Sequence, residues 1–139
     1  MIEEIQDLLL EQLAAIPGVA TVEPWEGDSI DDIMQSHLRT PALYVIYRGA
    51  MFDPYDLAGD MPMASMEYMI VLIAKNLKGR TAGASAGYTL IEGVRRRLIN
   101  RQIGEYDFLR PVREDLLSVQ GGLRAYGMIY QLAHVLWQA

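Results

Sequence analysis

The chain of 139 residues has the size of one domain, and the sequence predicts a single domain over residues 1–139. Because 51% of the residues are hydrophobic, a core can form without disulfides or metal ions. The absence of cysteine excludes thiol chemistry, and the net charge of −6 argues against nucleic acid as a specific partner. No apolar stretch reaches the ~20 residues of a membrane-spanning helix and no basic leader opens the chain, which indicates a soluble, intracellular protein with no membrane partner.

The charge is divided unevenly along the chain. Residues 1–60 hold twelve acidic and two basic side chains, whereas residues 61–139 hold six acidic and ten basic ones. Two interpretations stay open. The two halves can interleave and neutralise each other within one fold, or an acidic face of one copy can meet a basic face of another in head-to-tail association.

The first third of the chain predicts a helix, a short strand and a short helix. Residues 1–16 repeat apolar side chains at three- and four-residue steps until Pro17-Gly18 ends the pattern. Residues 18–25 are expected to form a short strand. Ser29 stands in an N-cap position with Asp32 three residues later, so residues 30–38 are expected to form one or two helical turns.

The middle of the chain predicts two strands, 42–48 and 64–75. The second has apolar side chains on both faces and is therefore expected at the centre of a sheet. Residues 49–63 between them are expected to form a long loop, and its load of methionine and aromatic residues has two interpretations, core packing or an adaptable contact surface. The apolar residues concerned are Met51, Phe52, Tyr55, Leu57, Met61 and Met63.

The last part predicts a helix over residues 85–103 with Gly104 as its C-cap, followed by strands 108–120 and 123–137. Gly121-Gly122 is a two-residue hairpin signal, and Pro111 predicts a bulge or an edge position for the incoming strand. The expected fold class is α+β, with two helices packed on a mostly antiparallel sheet of four to five strands in the order α-β-β-β-α-β-β.

Catalytic patterns are weak in this sequence. Residues 83–87 have the spacing of a Gly-x-Ser-x-Gly elbow, but a basic loop separates them from the preceding strand, so Ser85 is expected to cap a helix. A small hydrolase or ligand-binding module using Ser85, His134 and an acid such as Asp107 stays open as the alternative. His134 is otherwise expected to be hydrogen-bonded in the core or at an interface, and His37 to face solvent.

The charged clusters favour solvated faces over metal or nucleic-acid sites. Asp28, Asp31 and Asp32 lack the glycine and distal glutamate of a calcium loop, so no metal or cofactor is expected. Three successive arginines, residues 95–97, point in different directions on a helix, and no series of aromatic residues accompanies them. They are interpreted as a salt-bridging face.

The organisation of the whole chain resembles a family. The segments MIEEIQDLLLEQL, TPALYVIYRG, MEYMIVLIAKN and YTLIEGVRRRLIN, followed by a closing hairpin, are similar to the small tail proteins of Mu-like phages and prophages. Those proteins are similar in build to the tail terminator proteins of long-tailed phages.

The resemblance implies a non-enzymatic tail terminator or tail-completion protein. Such a protein forms a ring, commonly a hexamer, that caps the tail tube and joins it to the head. The implied partners are other copies of the chain, the tail tube and sheath proteins, and the head-tail connector proteins. The implied location is the virion tail, with the host cytoplasm as the place of assembly. Head-tail joining or a baseplate role is the alternative within phage morphogenesis. The side chains expected at interfaces are Met51, Phe52, Tyr55, Leu57, Met61, Met63, Arg95, Arg96, Asp31 and Asp32.

Overall fold

The computed structural model describes residues 1–27, 29–36, 39–52, 62–75 and 80–136, with the backbone alone for residues 80–86. Its elements, in chain order, are α1 (Ile2–Ala14), β1 (Thr21–Pro24), α2 (Ile30–Gln35), β2 (Ala42–Phe52), β3 (Met63–Lys75), α3 (Arg80–Leu98), β4 (Arg110–Gln120) and β5 (Leu123–Leu136).

The strands form one five-stranded sheet in the order β1-β2-β3-β5-β4. Strand β1 runs parallel to β2, and the other neighbouring pairs are antiparallel. The expected α+β class and mostly antiparallel sheet are confirmed, and β3 is the central strand as its two apolar faces predicted.

Helices α1 and α3 cover one face of the sheet, called the helix face below. The apolar stripe of α1 buries Ile5, Leu9 and Leu13 at four-residue spacing, and α3 adds Val94 and Leu98. These side chains pack on alternate residues of the central strands. This face holds most of the core. Each fully buried side chain of this kind contributes about 1.5–3 kcal/mol to folding.

The short helix α2 packs on the opposite face of the sheet. Ile33 and Met34 contact a second core cluster built on Tyr44, Val71 and Ile73. The predicted N-cap is confirmed, because the Oγ of Ser29 accepts a hydrogen bond from the backbone N–H of Asp32 at 3.2 Å. The expectation of two packed helices is therefore incomplete, since α2 is a third.

Two predicted boundaries differ from the structure. Helix α3 spans Arg80–Leu98 rather than 85–103, and Gly104 (φ 54°) lies in the following loop instead of capping the helix. The chain leaves the helix at Asn100, which has a φ of 59° and donates its backbone N–H to Leu109. Strand β2 extends to Phe52 rather than Arg48, because a bulge between Tyr47 and Gly49 allows it to continue.

Both ends of the predicted long loop, 49–63, belong to strands. Its first residues belong to β2, and Met63 begins β3. Tyr55, Leu57 and Met61 lie outside the described residues. The predictions at the other end of the sheet are confirmed: a turn at Gly121-Gly122 joins the last two strands, and β4 is an edge strand with a register shift after Pro111.

Candidate interaction surfaces

Exposed apolar side chains gather at one end of the sheet. Met51 and Phe52 end β2 with 78% and 56% of their surface exposed, Leu136 ends β5, and Met1 and Ile2 begin α1. The register brings these strand ends together, since Phe52 pairs with Ala64 and Met63 pairs with Leu136. These residues are called the end surface: Met1, Ile2, Met51, Phe52, Met63 and Leu136.

A cavity of about 450 Å³ opens within the end surface. Ile2 and Phe52 line it together with Tyr47 and Met66. The hydroxyl of Tyr68 donates to the carbonyl of Ile2 at 3.0 Å, which fixes the start of α1 over the sheet. Burial raises the pKa of Tyr68 and keeps it a neutral donor. A preformed apolar hollow of this kind suits a protruding side chain of a partner protein.

Asp107 and His134 form a hydrogen-bonded pair beside the end surface. The Nδ1 of His134 lies 2.9 Å from Oδ2 of Asp107, and the backbone N–H of Phe108 donates to Oδ1 of the same carboxylate at 2.8 Å. The hydrogen bond with His134 is the main cause that lowers the pKa of Asp107. The pair ties the loop after α3 to the end of β5.

His134 is exposed rather than in the core, and this corrects the core interpretation. A register shift opposite Ala64 and Met66 places an extra residue in β5, and His134 adopts a φ of 56° there. Its side chain is 60% exposed. The expected hydrogen bond is present, with Asp107 as its partner. His37 lies outside the described residues.

The hydrolase alternative needs Ser85 next to the Asp107–His134 pair, and the fold separates them. Gly87 lies against Tyr126, whose ring would be 3.5 Å from a Cβ placed on that glycine. His134 is eight residues further along β5, roughly 25 Å away at the rise of a strand. The side chain of Ser85 is outside the described part of the structure. Ser85 thus belongs to the opposite end of the sheet from His134.

Two of the three successive arginines of α3 form salt bridges within the chain, as the sequence indicated, and Arg97 donates to the carbonyl of Ala15 instead. Arg95 makes a bidentate pair with Glu114 on β4, in which Nε lies 2.8 Å from Oε2. The paired carboxylate raises the pKa of Arg95. Arg96 is 80% exposed and lies 3.8 Å from Glu92. Arg95 therefore joins α3 to the edge strand, whereas Arg96 presents its charge to solvent.

The acidic residues of α2 are placed at the hairpin end of the sheet. Asp31 accepts a hydrogen bond from Nε2 of Gln120 at 2.6 Å. The backbone N–H of Asp32 donates to the Oγ of Ser29, the N-cap of the helix. Both side chains are exposed. Among the residues that the structure describes, no three His, Asp or Glu side chains are grouped so that they could hold a metal ion.

The fold turns the uneven charge of the sequence into two different sides. Residues 1–27, which form α1 and β1 on the β1 side of the sheet, contain six acidic residues and no basic one. Residues 80–136, which form α3, β4 and β5 toward the other edge, contain eight basic and five acidic residues. Helix α2 contacts β4 and β5 and adds Asp31 and Asp32 there. A single copy therefore presents an acidic side and a side on which basic and acidic residues nearly balance.

The edge strand β4 carries an apolar surface that sequence reasoning did not identify. Val112, Leu116 and Val119 are 50–53% exposed, and Tyr88 on α3 is 55% exposed beside them. The available signal was the apolar content of β4 combined with its edge position. The helices of the described chain include none that is both long and apolar enough for a transmembrane span.

The fold defines an α+β protein with helices on both faces of a five-stranded sheet. The chain belongs to the family described as "Bacteriophage Mu, Gp37", whose profile matches residues 1–133. The resemblance to a Mu-like phage protein is thereby confirmed.

Solved structures share this fold. A chain of the structure entitled "Virion of native gene transfer agent (GTA) particle" is 17% identical, with a TM-score of 0.59 over 95% of this chain and 94% of that one. The search of curated proteins produced no match.

Proposed function

We propose that this protein is a structural component of a phage or prophage tail, and specifically a tail terminator. Copies of the chain form a ring, with six as the expected number, that caps the tail tube and joins it to the head. Membership of the Mu Gp37 family supports the phage assignment. The fold shared with a chain from a virion particle supports a role in the assembled particle.

The observation that carries the proposal is the difference between the two sides of the molecule. A closed ring is built from head-to-tail contacts, so each copy needs two unlike and complementary surfaces. The acidic side at β1 and the side at β4, where exposed arginines accompany the acidic residues, lie at opposite edges of the sheet and meet that requirement. Arg96 contributes exposed charge to the second side.

The end surface supplies the contact along the tail axis. Met51, Phe52 and Met63 lie at the ends of β2 and β3, beyond the part of β2 that β1 covers. Methionine and aromatic side chains adapt to a partner's shape, and their exposure here is characteristic of a protein-binding patch. The proposed partners at this surface are the tail tube and sheath proteins or the head-tail connector. Tyr55, Leu57 and Met61 are proposed as further contact residues.

The proposed role involves no reaction and no cofactor. The protein acts by contacts alone, in the virion tail and during assembly in the host cytoplasm. Asp31 and Asp32 at the hairpin end are proposed as further contact residues, since both are exposed.

The experiment is tail assembly in a host that lacks this protein. We expect tubes of variable length without heads, and restoration of uniform tails by the wild-type chain. The end-surface variant Phe52→Ser should fail to restore them, whereas Phe108→Ser, the same substitution at a 49% exposed position in the loop between α3 and β4, should retain tube capping.

Antibody labelling of restored tails gives the position of the protein. Label at the head-proximal end supports a terminator. Label at the far end would instead indicate a baseplate component, and tails without label would contradict a structural tail role.

A further inference from the structure

The helix face of the sheet is incompletely covered at the β4 edge. Helix α1 contacts β1 and β2, and α3 contacts the central strand β3, so the helical layer ends before β4. A groove of about 370 Å³ lies there between α3 and β4, and Tyr88, Leu116 and Tyr126 line it. Its three carboxylates, Glu92, Glu114 and Asp115, are each paired with an arginine of the same chain. Tyr88 and Leu116 are more than half exposed. Another helix placed beside α3 at the usual 8–10 Å would cover them.

An unpaired cation lies at the same place. Arg124 is opposite Val119 in the β4–β5 ladder, and its Nη1 donates to the hydroxyl of Tyr126 at 3.5 Å. Its Nε is buried and lacks a hydrogen-bond partner. Within the described residues no carboxylate forms an ion pair with Arg124, in contrast to Arg95 and Arg113, which pair with Glu114 and Asp115. We call Tyr88, Leu116, Val119 and Arg124 the β4 surface.

The complementary feature is on α1. Glu3, Asp7 and Glu11 follow each other at four-residue spacing and so share one flank of the helix. All three are exposed, and the described chain contains no salt bridge to any of them. We call these three residues the acidic flank.

The acidic flank faces away from the sheet. It lies on the side of α1 opposite to the buried stripe of Ile5, Leu9 and Leu13, next to Glu4, whose carboxylate accepts a hydrogen bond from the Tyr106 hydroxyl at 3.1 Å. Because α1 contacts β1 and β2, the acidic flank lies over the part of the sheet farthest from β4.

We propose that the acidic flank of one copy docks on the β4 surface of the next copy. The neighbour's α1 would continue the helical layer beyond α3, cover Tyr88 and Leu116, and bring carboxylates to the unpaired Arg124. The contact is head-to-tail, because the two surfaces lie on opposite edges of one molecule. This inference rests on the proposed ring, and it names the surfaces that close it.

The contact is made by side chains rather than by a shared sheet. Strand β4 contains Pro111 and two register shifts, after Pro111 and after Leu116. Such features interrupt the row of backbone groups that another strand would need. The apolar side chains and the guanidinium group therefore provide the binding surface.

The first test reverses the charges. Arg124→Glu, or the triple change Glu3→Lys, Asp7→Lys and Glu11→Lys, should each weaken self-association at least tenfold. The two sets combined in one chain should restore self-association, because the flank of α1 is then basic and position 124 is acidic, so each interface again joins opposite charges. Arg48→Glu, the same reversal at an exposed position on β2, is the matched control and should leave association unchanged. Circular dichroism checks that each variant folds.

The second test uses the absence of native cysteine. Asp7→Cys and Leu116→Cys chains are mixed and oxidised, and we expect a disulfide joining the two different chains. Phe52→Cys replaces Leu116→Cys in the control mixture, which should give no such product.

The outcomes separate the two proposals. This interface is overturned, while the tail role stands, if the wild-type chain forms rings and each charge-reversed variant still forms them. It is also overturned if the Asp7→Cys and Leu116→Cys chains give no joined product. A charge-reversed pair that fails to restore association also overturns it. A wild-type chain that neither associates nor caps tails overturns the proposed function.

Discussion

The hydroxyl of Tyr130 is buried on the helix face of the sheet, and among the described residues it has no hydrogen-bond partner. Burial raises the pKa of Tyr130 to about 12, so the group stays neutral. Tyr68 in the next strand is equally buried, but its hydroxyl donates to the carbonyl of Ile2. Two neighbouring tyrosines thus differ by one hydrogen bond.

This difference predicts opposite effects of the same substitution. Tyr130→Phe removes an unsatisfied polar atom and should leave the free energy of unfolding unchanged or raise it by up to ~1 kcal/mol. Tyr68→Phe removes a satisfied donor and should lower that free energy by ~0.5–1.5 kcal/mol. Urea denaturation of both variants is the measurement. A loss at Tyr130 as large as that at Tyr68 would show that the Tyr130 hydroxyl has a partner.

The Asp107–His134 pair predicts a dependence of stability on pH. The pKa of Asp107 is lowered from 3.8 in the folded chain, so its contribution is present above the ordinary value and is lost as pH falls through the lowered pKa. Asp107→Asn should therefore lower the urea midpoint at pH 7, and the gap to wild type should narrow in acid.

The control for this pair is the same substitution in a His134→Ala background, where its effect at pH 7 should be smaller. An effect of Asp107→Asn that is equal in both backgrounds and at every pH would contradict the contribution of the pair.

Among the elements, the β4–β5 hairpin gives the sharpest test of local geometry. Gly121 and Gly122 have φ of 59° and 78°, the left-handed values of a type I′ turn. Gly121→Asn should be tolerated, because asparagine adopts this conformation readily. Gly121→Val should cost ~1–2 kcal/mol, since a β-branched side chain resists it. Thermal unfolding distinguishes the two, and an equal loss would contradict the turn assignment.

Element prediction succeeded where a local pattern decides the structure. Two apolar faces placed β3 at the centre of the sheet, and Ser29 marked the start of α2. It failed where distant contacts decide. The end of α3 depends on hydrogen bonds that Asn100 and Arg101 make with Leu109, which is nine and eight residues away in the sequence and so beyond the spacing of helical hydrogen bonds.

The interaction surfaces were predictable only in part. The sequence indicated Met51, Phe52 and Met63 because methionine and aromatic residues are concentrated in that segment, and the fold brings these three residues to one end of the sheet. The β4 surface was missed because periodicity gives the faces of a strand but does not indicate which strands the helices leave uncovered. Arg124 could not be singled out from the sequence either, because only the fold shows that no carboxylate among the described residues forms an ion pair with it.

For the whole molecule, the arrangement of charge is the property that bears most directly on function. Strand order places the acidic α1 and β1 at one edge of the sheet and the arginine-containing β4 at the other, where Asp31 and Asp32 of α2 offset part of the positive charge. Because two acidic sides repel each other, the arrangement favours head-to-tail contacts over symmetric dimers.

The most direct measurement is the mass and symmetry of the assembled protein, from sedimentation over a range of concentrations and electron microscopy of the product, alone and with tail tubes. The account predicts a closed ring with identical contacts, of about 94 kDa for six copies of the 15.6 kDa chain. A two-fold dimer with matching sides in contact, or a monomer that leaves tube ends bare, would contradict it.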